Sequence, residues 1–501
     1  MASYLLGVDN GCTVSKAGLF TLDGKEVAVA SAQTEVICTQ PRWQERDMEQ
    51  MWQGTADAIK RVVAQARVAP QDIVCVTCTG HGNGLYPIDK QGKPVRNAIL
   101  STDGRAKNII KQWLAQGLDQ AVRPKTMQSL WPAQPNALLA WLREHEPQSY
   151  HGIKWVLMAK DFIRYKLTGQ VFAELTDFSG TSLMNLQTRQ YEQALLEDFG
   201  IGDALDYLPP IVASADLCGQ VTKEAGRLTG LAQGTPVAAG MFDIDACGLS
   251  SGVVDESQLC MIVGTWGNNQ YISKTPVVDE EIFMTSCYSI PEYYLMLEGS
   301  ATSGSNLEWF VSQFFAAERT MAEEQGGSVY DLCNELVAST QPSESNVVFL
   351  PFLYGSNANQ DAKATLLGVN AWHQRGHILR AIYEGVVFGH KHHVERLLRF
   401  RSKPQVLRIT GGATRSDVWL QVFADCFQTP VQVPDGTEPG TLGAAIAGAV
   451  ATGCYKDYRD AVNAMVHFSR YIDPDTTQAN IYRDKYSYYQ KVIETLDPLW
   501  Q

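Results

Sequence analysis

Tyr4-Leu-Leu-Gly-Val-Asp-Asn-Gly-Cys-Thr-Val-Ser-Lys-Ala-Gly-Leu-Phe20 reads as an apolar strand ending at Asp9, a turn holding Gly11 and Thr13, and a returning strand from Ser15. An acid at a strand end, followed by a glycine and a hydroxyl, can order a hydrated divalent cation while backbone N–H groups face phosphate oxygens. The same residues also suit an ordinary glycine-containing hairpin. A second stretch repeats the order: strand Leu259–Val263, turn Gly264-Thr-Trp-Gly267, then Gln270-Tyr-Ile-Ser273. The echo strengthens the phosphate reading and predicts two similar domains, 1–248 and 249–501, with a boundary where the chain turns Gly- and Ser-rich near 245–255.

Outward from the first stretch, Asp23-Gly24 marks a hairpin into a run from Glu26 to Ala30. Apolar residues at Met51, Ala58, Ile59, Val62 and Val63 predict a helix over Met48–Ala66. Strand Ile73–Thr79 then runs into Gly80-His-Gly-Asn-Gly84, and further helices follow at Ala137–Arg143 and Lys160–Leu167. Thr235–Gly240 reads as a strand ending at Asp243. Leu407–Thr410 leads through Gly411-Gly-Ala413 into a helix with Ser416 as N-cap and Asp417 in its first turn. Strands alternating with helices predict an α/β fold. The Tyr-rich tail predicts a terminal helix from about 478, with nothing local to fix its packing.

The chain has 501 residues and a formal charge of −13, without a dense Lys/Arg run. That balance argues against nucleic acid or an anionic membrane as partner. The first residues lack a basic segment and a long apolar core, and no stretch is apolar enough to span a bilayer, so a cytoplasmic protein is expected. Eleven scattered cysteines fit reduced thiols, and the pair Cys75-Val-Thr-Cys78 lies in a strand-like run that predicts core packing.

No GxxxxGK[ST] is present, and no HRD or DFG set. Gly80-x-Gly82-x-Gly84 lacks the third glycine and the helix of a dinucleotide fingerprint, because Leu85–Asp89 reads as another strand; a turn or substrate loop fits better. Asp243-Ile-Asp245 places two carboxylates just past a strand. Phosphoryl transfer to an alcohol needs a group that orients the hydroxyl and accepts its proton, and an ionised Asp suffices. Helix capping is the ordinary alternative. We assign the base to Asp243 and capping or metal support to Asp245. His390-Lys-His392-His393 puts two imidazoles on one helix face without a completing ligand set, so a solvated face is expected.

These landmarks together resemble the FGGY family of carbohydrate kinases over essentially the whole chain. The most specific stretch is Ala364-Thr-Leu-Leu-Gly-Val369, seven residues, then His377-Ile-Leu-Arg-Ala-Ile-Tyr-Glu384, which is similar to the family's second signature. The resemblance implies two actin-like (ribonuclease H-like, ASKHA) domains with a central cleft, and an enzyme moving the γ-phosphate of ATP onto a sugar hydroxyl with Mg²⁺. It places Asp243 as catalytic base, Asp9 and Asp243 toward metal, and Thr13, Gly264, Thr265, Gly304, Gly412 and Ser416 along the nucleotide. Ile244 stands where the family carries Asn or Gln, which removes one polar sugar contact. Asn97–Ser101, Ser305–Phe310, Phe349–Asn357 and Ala381–Phe388 resemble the L-xylulose kinase subgroup. Gly82-Asn83 replaces the Arg-Glu pair of glycerol kinases and the Met-His pair of D-xylulose kinases. Sugar contacts are therefore expected from His81, Asn83, Asp103 and Trp131, Asn83 being alternatively a left-handed turn residue.

The implied reaction is phosphorylation at O5 of L-xylulose or a related ketopentose. Rival readings are a kinase for erythritol, D-xylulose, glycerol or a keto-sugar acid, and a nucleotide-dependent sugar sensor without catalysis. The aromatic tail also suggests a homodimer.

Overall fold

Strand Tyr4–Asn10 is buried along Leu5, Leu6, Gly7 and Val8, as a strand covered on both faces must be. It lies inside a six-stranded sheet ordered Leu217–Gln220, Pro236–Phe242, Ile73–Gly80, Tyr4–Asn10, Val14–Thr21, Glu26–Gln33. Three strands form the hairpin meander read from the sequence, with Asp9 opposite Lys16 and Asn10 opposite Ser15. Ile73–Gly80 and Pro236–Phe242 join in parallel, so their C-terminal ends and that of Tyr4–Asn10 emerge together. Ligand sites in such sheets gather at those ends.

The computed structural model describes residues 3–300, 302–356 and 361–500; Ala301 and Asn357 lie outside them. The chain forms two compact units. The first comprises Met1–Val254, Ile272–Met296 and Gly436–His467; the second comprises Asp255–Tyr271, Leu297–Asp435 and Phe468–Gln501.

In the first unit, helix Met48–Ala66 begins where Asp47 accepts the Gln50 N–H and ends where Arg67 turns left-handed at φ 55°. It presents Met51, Trp52, Ile59 and Val62 to the sheet. Helix Pro439–Ala451 covers strands Tyr4–Asn10 and Ile73–Gly80 and crosses helix Asp243–Ser250. Close approach is possible because glycine stands at the contacts: a Cβ on Gly443 would lie 2.1 Å from the Ala246 carbonyl oxygen. Cys75 and Cys78 are buried in their strand, and burial pushes the Cys75 thiol up to about 11.

The second unit repeats the topology of the first. Gln258–Val263 pairs antiparallel with Gly267–Ser273 and parallel with Val406–Gly411, which joins Val431–Pro434 and then Phe468–Ile472. The returning strand starts at Gly267, three residues earlier than the sequence suggests, because the turn is tight. Tail helix Ala479–Leu496 buries Tyr482, Tyr486, Tyr489 and Val492 in this unit's core. Three of the four tail tyrosines are therefore spent inside the chain, while Tyr488 is exposed. No helix among the described residues is long and apolar enough to cross a membrane.

Candidate active site

Strand Pro236–Phe242 ends one residue before Asp243, which opens helix Asp243–Ser250 and is half-buried. Burial holds its carboxyl well above the usual carboxylate range, and the negative charges of Asp9 and Asp177 add to the effect. Asp245, one residue beyond its neighbour Ile244, is completely buried; its Oδ1 accepts the Ser289 N–H at 2.9 Å. Burial and then Glu174 hold that carboxyl high as well. Of the pair, only Asp243 is open to a ligand. Neither caps the helix, whose N-cap position falls on Phe242.

Asp9 lies across the strand ends. Its Oδ2 rests against Gly440 at the start of helix Pro439–Ala451, where a Cβ would come within 2.3 Å. A helix N-terminus favours the charged form, yet burial raises this carboxyl to about 6, Lys16 drawing it down and Glu438 pushing it up. Lys16 itself pairs with Glu438 at 2.6 Å. Asp9 Oδ1 is buried without a hydrogen-bond partner. Thr13 is exposed at the tip of the turn, which is closed by the Gly11 N–H donating to the Val14 carbonyl at 3.0 Å.

The loop after strand Ile73–Gly80 faces the same end of the sheet. His81 is buried with Nε2 2.7 Å from the Tyr86 hydroxyl and Nδ1 3.3 Å from the Ser101 Oγ. Burial, and then the Arg46 charge, depress its pKa to about 4, so the ring is neutral at physiological pH. Gly82 is required by space: a Cβ there would lie 2.4 Å from the Phe242 ring and 2.8 Å from Asp177 Oδ1. Asn83 adopts φ 62°, the left-handed turn weighed from the sequence, and its buried Oδ1 has no hydrogen-bond partner. Turn geometry and an unfilled acceptor thus coexist in one residue. The next amide, Gly84 N–H, donates to the Ala133 carbonyl at 2.9 Å and ties this loop to the segment of half-buried Trp131.

Asp103 corrects an expectation. Its Oδ1 accepts from the backbone and Nε of Arg105 at 2.8 and 2.9 Å, and its Oδ2 from the Gln44 N–H at 2.7 Å and Arg105 Nη2 at 2.9 Å. The carboxylate is saturated, so it fastens its own loop rather than waiting for a sugar hydroxyl.

A buried polar layer behind Asp243 escaped the sequence reading. Thr176 Oγ1 accepts the Phe242 N–H at 2.9 Å and donates to Glu174 Oε2 at 2.8 Å, which fixes the backbone just before Asp243. Lys160 Nζ lies 3.0 Å from Asp161, 3.1 Å from Asp177 and 3.5 Å from Glu174. Burial pushes Asp177 up to about 7 against the pull of Lys160. These residues span 160–177 with no motif, and only folding assembles them.

In the second unit the turn Gly264–Thr265 is clasped by the loop at 303–305. Gly304 N–H donates to the Gly264 carbonyl at 2.7 Å, Ser303 N–H to that of Thr265 at 3.0 Å, and Ser305 Oγ to the same carbonyl at 3.0 Å. Gly411, at φ 94°, passes so close to Val263 that a Cβ would lie 2.5 Å from its carbonyl oxygen, whereas a Cβ on Gly412 would make only an ordinary contact with that oxygen at 3.9 Å. Gly264, Thr265, Gly304 and Gly412 thus collect at the ends of two parallel strands. Ser416 stands one short turn away as the expected N-cap, its Oγ accepting from the Trp419 N–H at 3.1 Å and donating to Asn334 Oδ1 at 2.6 Å. The histidine cluster differs from expectation: His390 is buried between Ser303 Oγ and Asn269 Oδ1, each at 2.8 Å, and His393 meets Glu298 at 3.1 Å. The ring nitrogens are committed to core hydrogen bonds, and among the described residues no group of His, Cys, Asp and Glu could hold a metal ion by itself.

Residues 4–249 match the model of the FGGY family of carbohydrate kinases, N-terminal domain, and 259–452 that of its C-terminal domain. The chain is 37% identical over 498 residues to an L-xylulose/3-keto-L-gulonate kinase of Escherichia coli (strain K12), covering 99% of this chain and 98% of the relative. A probable L-xylulose kinase of Pasteurella multocida (strain Pm70) is also 37% identical, over 99% of both chains. Among solved structures, a xylulose kinase from Rhodospirillum rubrum superposes with a TM-score of 0.89 at 27% identity, covering 99% of both chains. The fold is the actin-like one of these kinases.

Proposed function

The chain belongs to the FGGY family of carbohydrate kinases, ATP-dependent enzymes that phosphorylate a sugar hydroxyl, and from that premise we propose that its acceptor is O5 of L-xylulose or a closely related ketopentose. The observation that carries the site is Asp243: half-buried, at the mouth of parallel strands, beside a loop whose Asn83 Oδ1 is unfilled and whose His81 is neutral.

In the proposed reaction Asp243 accepts the proton of the attacking hydroxyl as its oxygen bonds to the γ-phosphorus and the bond to ADP breaks. Neutral His81, its Nε2 held by Tyr86, would exchange the longer 3.3 Å contact of Nδ1 with Ser101 for a sugar hydroxyl without repelling the metal, and Asn83 Oδ1 accepts a second hydroxyl. Trp131 provides an apolar wall. Asp9 and Asp243, acids in mutual electrostatic reach with one orphaned oxygen on Asp9, fit a hydrated Mg²⁺. When bound, that ion neutralises charge on the transferring phosphoryl group. We assign the sugar and first phosphate turn to 1–248 and the nucleotide contacts of Gly264, Thr265, Gly304, Gly412 and Ser416 to 249–501. Cytoplasmic residence and a homodimer belong to the same proposal, the dimer now resting on exposed aromatics such as Trp309 and Phe314.

The test is an ADP-release assay over L-xylulose, D-xylulose, erythritol, glycerol and keto-sugar acids, with the product identified by NMR. A 5-phosphate of L-xylulose formed with the highest kcat/KM supports the reading; preference for another acceptor redirects it, and binding without turnover points to a sensor. Asp243→Asn should fold and bind ATP yet lose transfer by several orders of magnitude, while Asp245→Asn should lose far less. Near-normal turnover in Asp243→Asn would remove Asp243 from its role.

A further inference from the structure

Arg46 and Arg164 head the fully buried side chains by size. Arg164 meets Asp161 at 2.9 Å. Arg46 meets no carboxylate among the described residues. Its Nη2 donates to the Gly11 carbonyl at 3.0 Å, its Nη1 to the Met51 sulfur at 3.2 Å, and its Nε has no partner. Among the groups that feel its charge are Cys12, His81 and Tyr86, the last also hydrogen-bonded to it, and all three are neutral at physiological pH. Both of its sequence neighbours are acids, but Glu45 is taken by Arg96 and by Arg105 at 2.9 Å, and Asp47 caps helix Met48–Ala66, its Oδ1 accepting the Gln50 N–H at 2.9 Å. A buried cation without a counter-charge costs several kcal/mol, and such costs collect at functional sites.

Geometry says what the charge does. Arg46 holds the carbonyl of the Gly11–Cys12 peptide toward the interior. That peptide is trans, as all described ones are, so the Cys12 N–H points the opposite way, out of the turn. The turn amide is thereby oriented, and a full positive charge stands behind it. The echo turn in the second unit is built otherwise: its Gly264 carbonyl is held by the neutral N–H of Gly304.

We infer that Arg46 is a positioning residue that readies the Gly11–Thr13 turn for an oxyanion, namely the transferring phosphoryl group rather than the rest of the nucleotide. The inference rests on the reading that puts phosphate at this turn. The asymmetry between the turns carries it further, because the turn with a charge behind it suits the phosphoryl group on which charge is redistributed in the transition state.

Full-length Arg46→Met and Arg46→Lys are compared with wild type for kcat, for KM of the neutral sugar and for Tm without ligands; Thr13→Val is run alongside. Removing the charge should lower kcat by about 100-fold, the scale of one preorganised donor, with the sugar KM within about threefold. Lysine should recover most of the loss, since it restores charge without the fixed fork. Arg46→Met should melt no lower than wild type, because an uncompensated buried charge is gone. A structural role predicts the reverse: Arg46→Met melts several degrees lower and lysine fails to rescue. That result, or an unchanged kcat, overturns the inference. If Thr13→Val also leaves every ATP parameter unchanged, the phosphate reading of the turn has failed; if Thr13→Val impairs ATP use while Arg46→Met does not, only the role of Arg46 has.

Discussion

Asp9, Asp177 and Asp243 share one electrostatic predicament, since burial raises each carboxyl and the charges of Asp9 and Asp177 raise that of Asp243 further. The sign of the pH dependence follows. Between about 4, where an unfolded Asp releases its proton, and the folded values of about 6 for Asp9 and about 7 for Asp177, the native state holds protons that the unfolded state has lost. Stability therefore falls as pH rises through that window, and the full penalty is present above it. The apo protein should melt a few degrees higher at pH 5 than at pH 8, and Asp9→Asn should raise Tm at pH 8 while leaving it nearly unchanged at pH 5. Differential scanning fluorimetry across pH reads this directly, and an Asp9→Asn protein that melts lower than wild type at pH 8 would contradict it. The same variant should lose turnover, the usual exchange when a strained site is relieved. Catalysis has the opposite slope: the base form of Asp243 is needed, so the acid limb of kcat against pH should lie above the ordinary carboxylate range.

At the scale of elements, the local patterns were readable because local physics makes them: helix Met48–Ala66 from its apolar spacing and the first hairpin from alternation and Asp23-Gly24. What the sequence left closed was long-range. Nothing near Asp103 announces that Arg105 and Gln44 will saturate it, and nothing near His390 announces Ser303. The terminal helix is the clearest case. Its Lys485 pairs with Glu384, inside the stretch that resembles a family signature, and also donates to the Pro342 carbonyl at 3.1 Å. Both ionic partners are nearly inaccessible, and Arg380 reaches Glu384 only at 3.8 Å. Lys485→Met should therefore cost about 3 kcal/mol, the low end for breaking a buried pair, because Arg380 compensates in part. Chemical denaturation of that variant and of Glu384→Gln/Lys485→Met measures it. The double variant should regain part of the loss, since neither Glu384 nor Lys485 is left charged and only Arg380 loses its more distant partner; equal losses in both would mean that Lys485 matters for packing alone.

For the molecule as a whole, the first unit is not a continuous piece of chain. Gly436–His467 returns to it between two stretches of the second unit, Leu297–Asp435 and Phe468–Gln501. Helix Pro439–Ala451 in that return buries Leu442, Ala444, Ala445, Ile446, Ala447 and Ala449 and covers two central strands and the helix that begins at Asp243. The helix was invisible to the sequence reading as a partner of Asp9, because Pro-Gly-Thr-Leu-Gly-Ala-Ala-Ile-Ala carries no chemistry of its own; its glycines act only by letting backbone approach. A fragment ending at Val254 would leave strands Tyr4–Asn10 and Ile73–Gly80 with an uncovered apolar face and Asp9 without the helix N-terminus against which it lies. Such a fragment should aggregate or melt without a cooperative transition, and supplying 436–467 in trans or through a flexible linker should restore a cooperative melt. If 1–254 alone unfolded in one sharp step and still bound the sugar, the returning helix would be an accessory and the acid pair Asp9 and Asp243 would owe its placement to the sheet alone. The outcome bears on function because the carboxylate proposed to take the proton sits on the helix that the returning segment presses against the sheet.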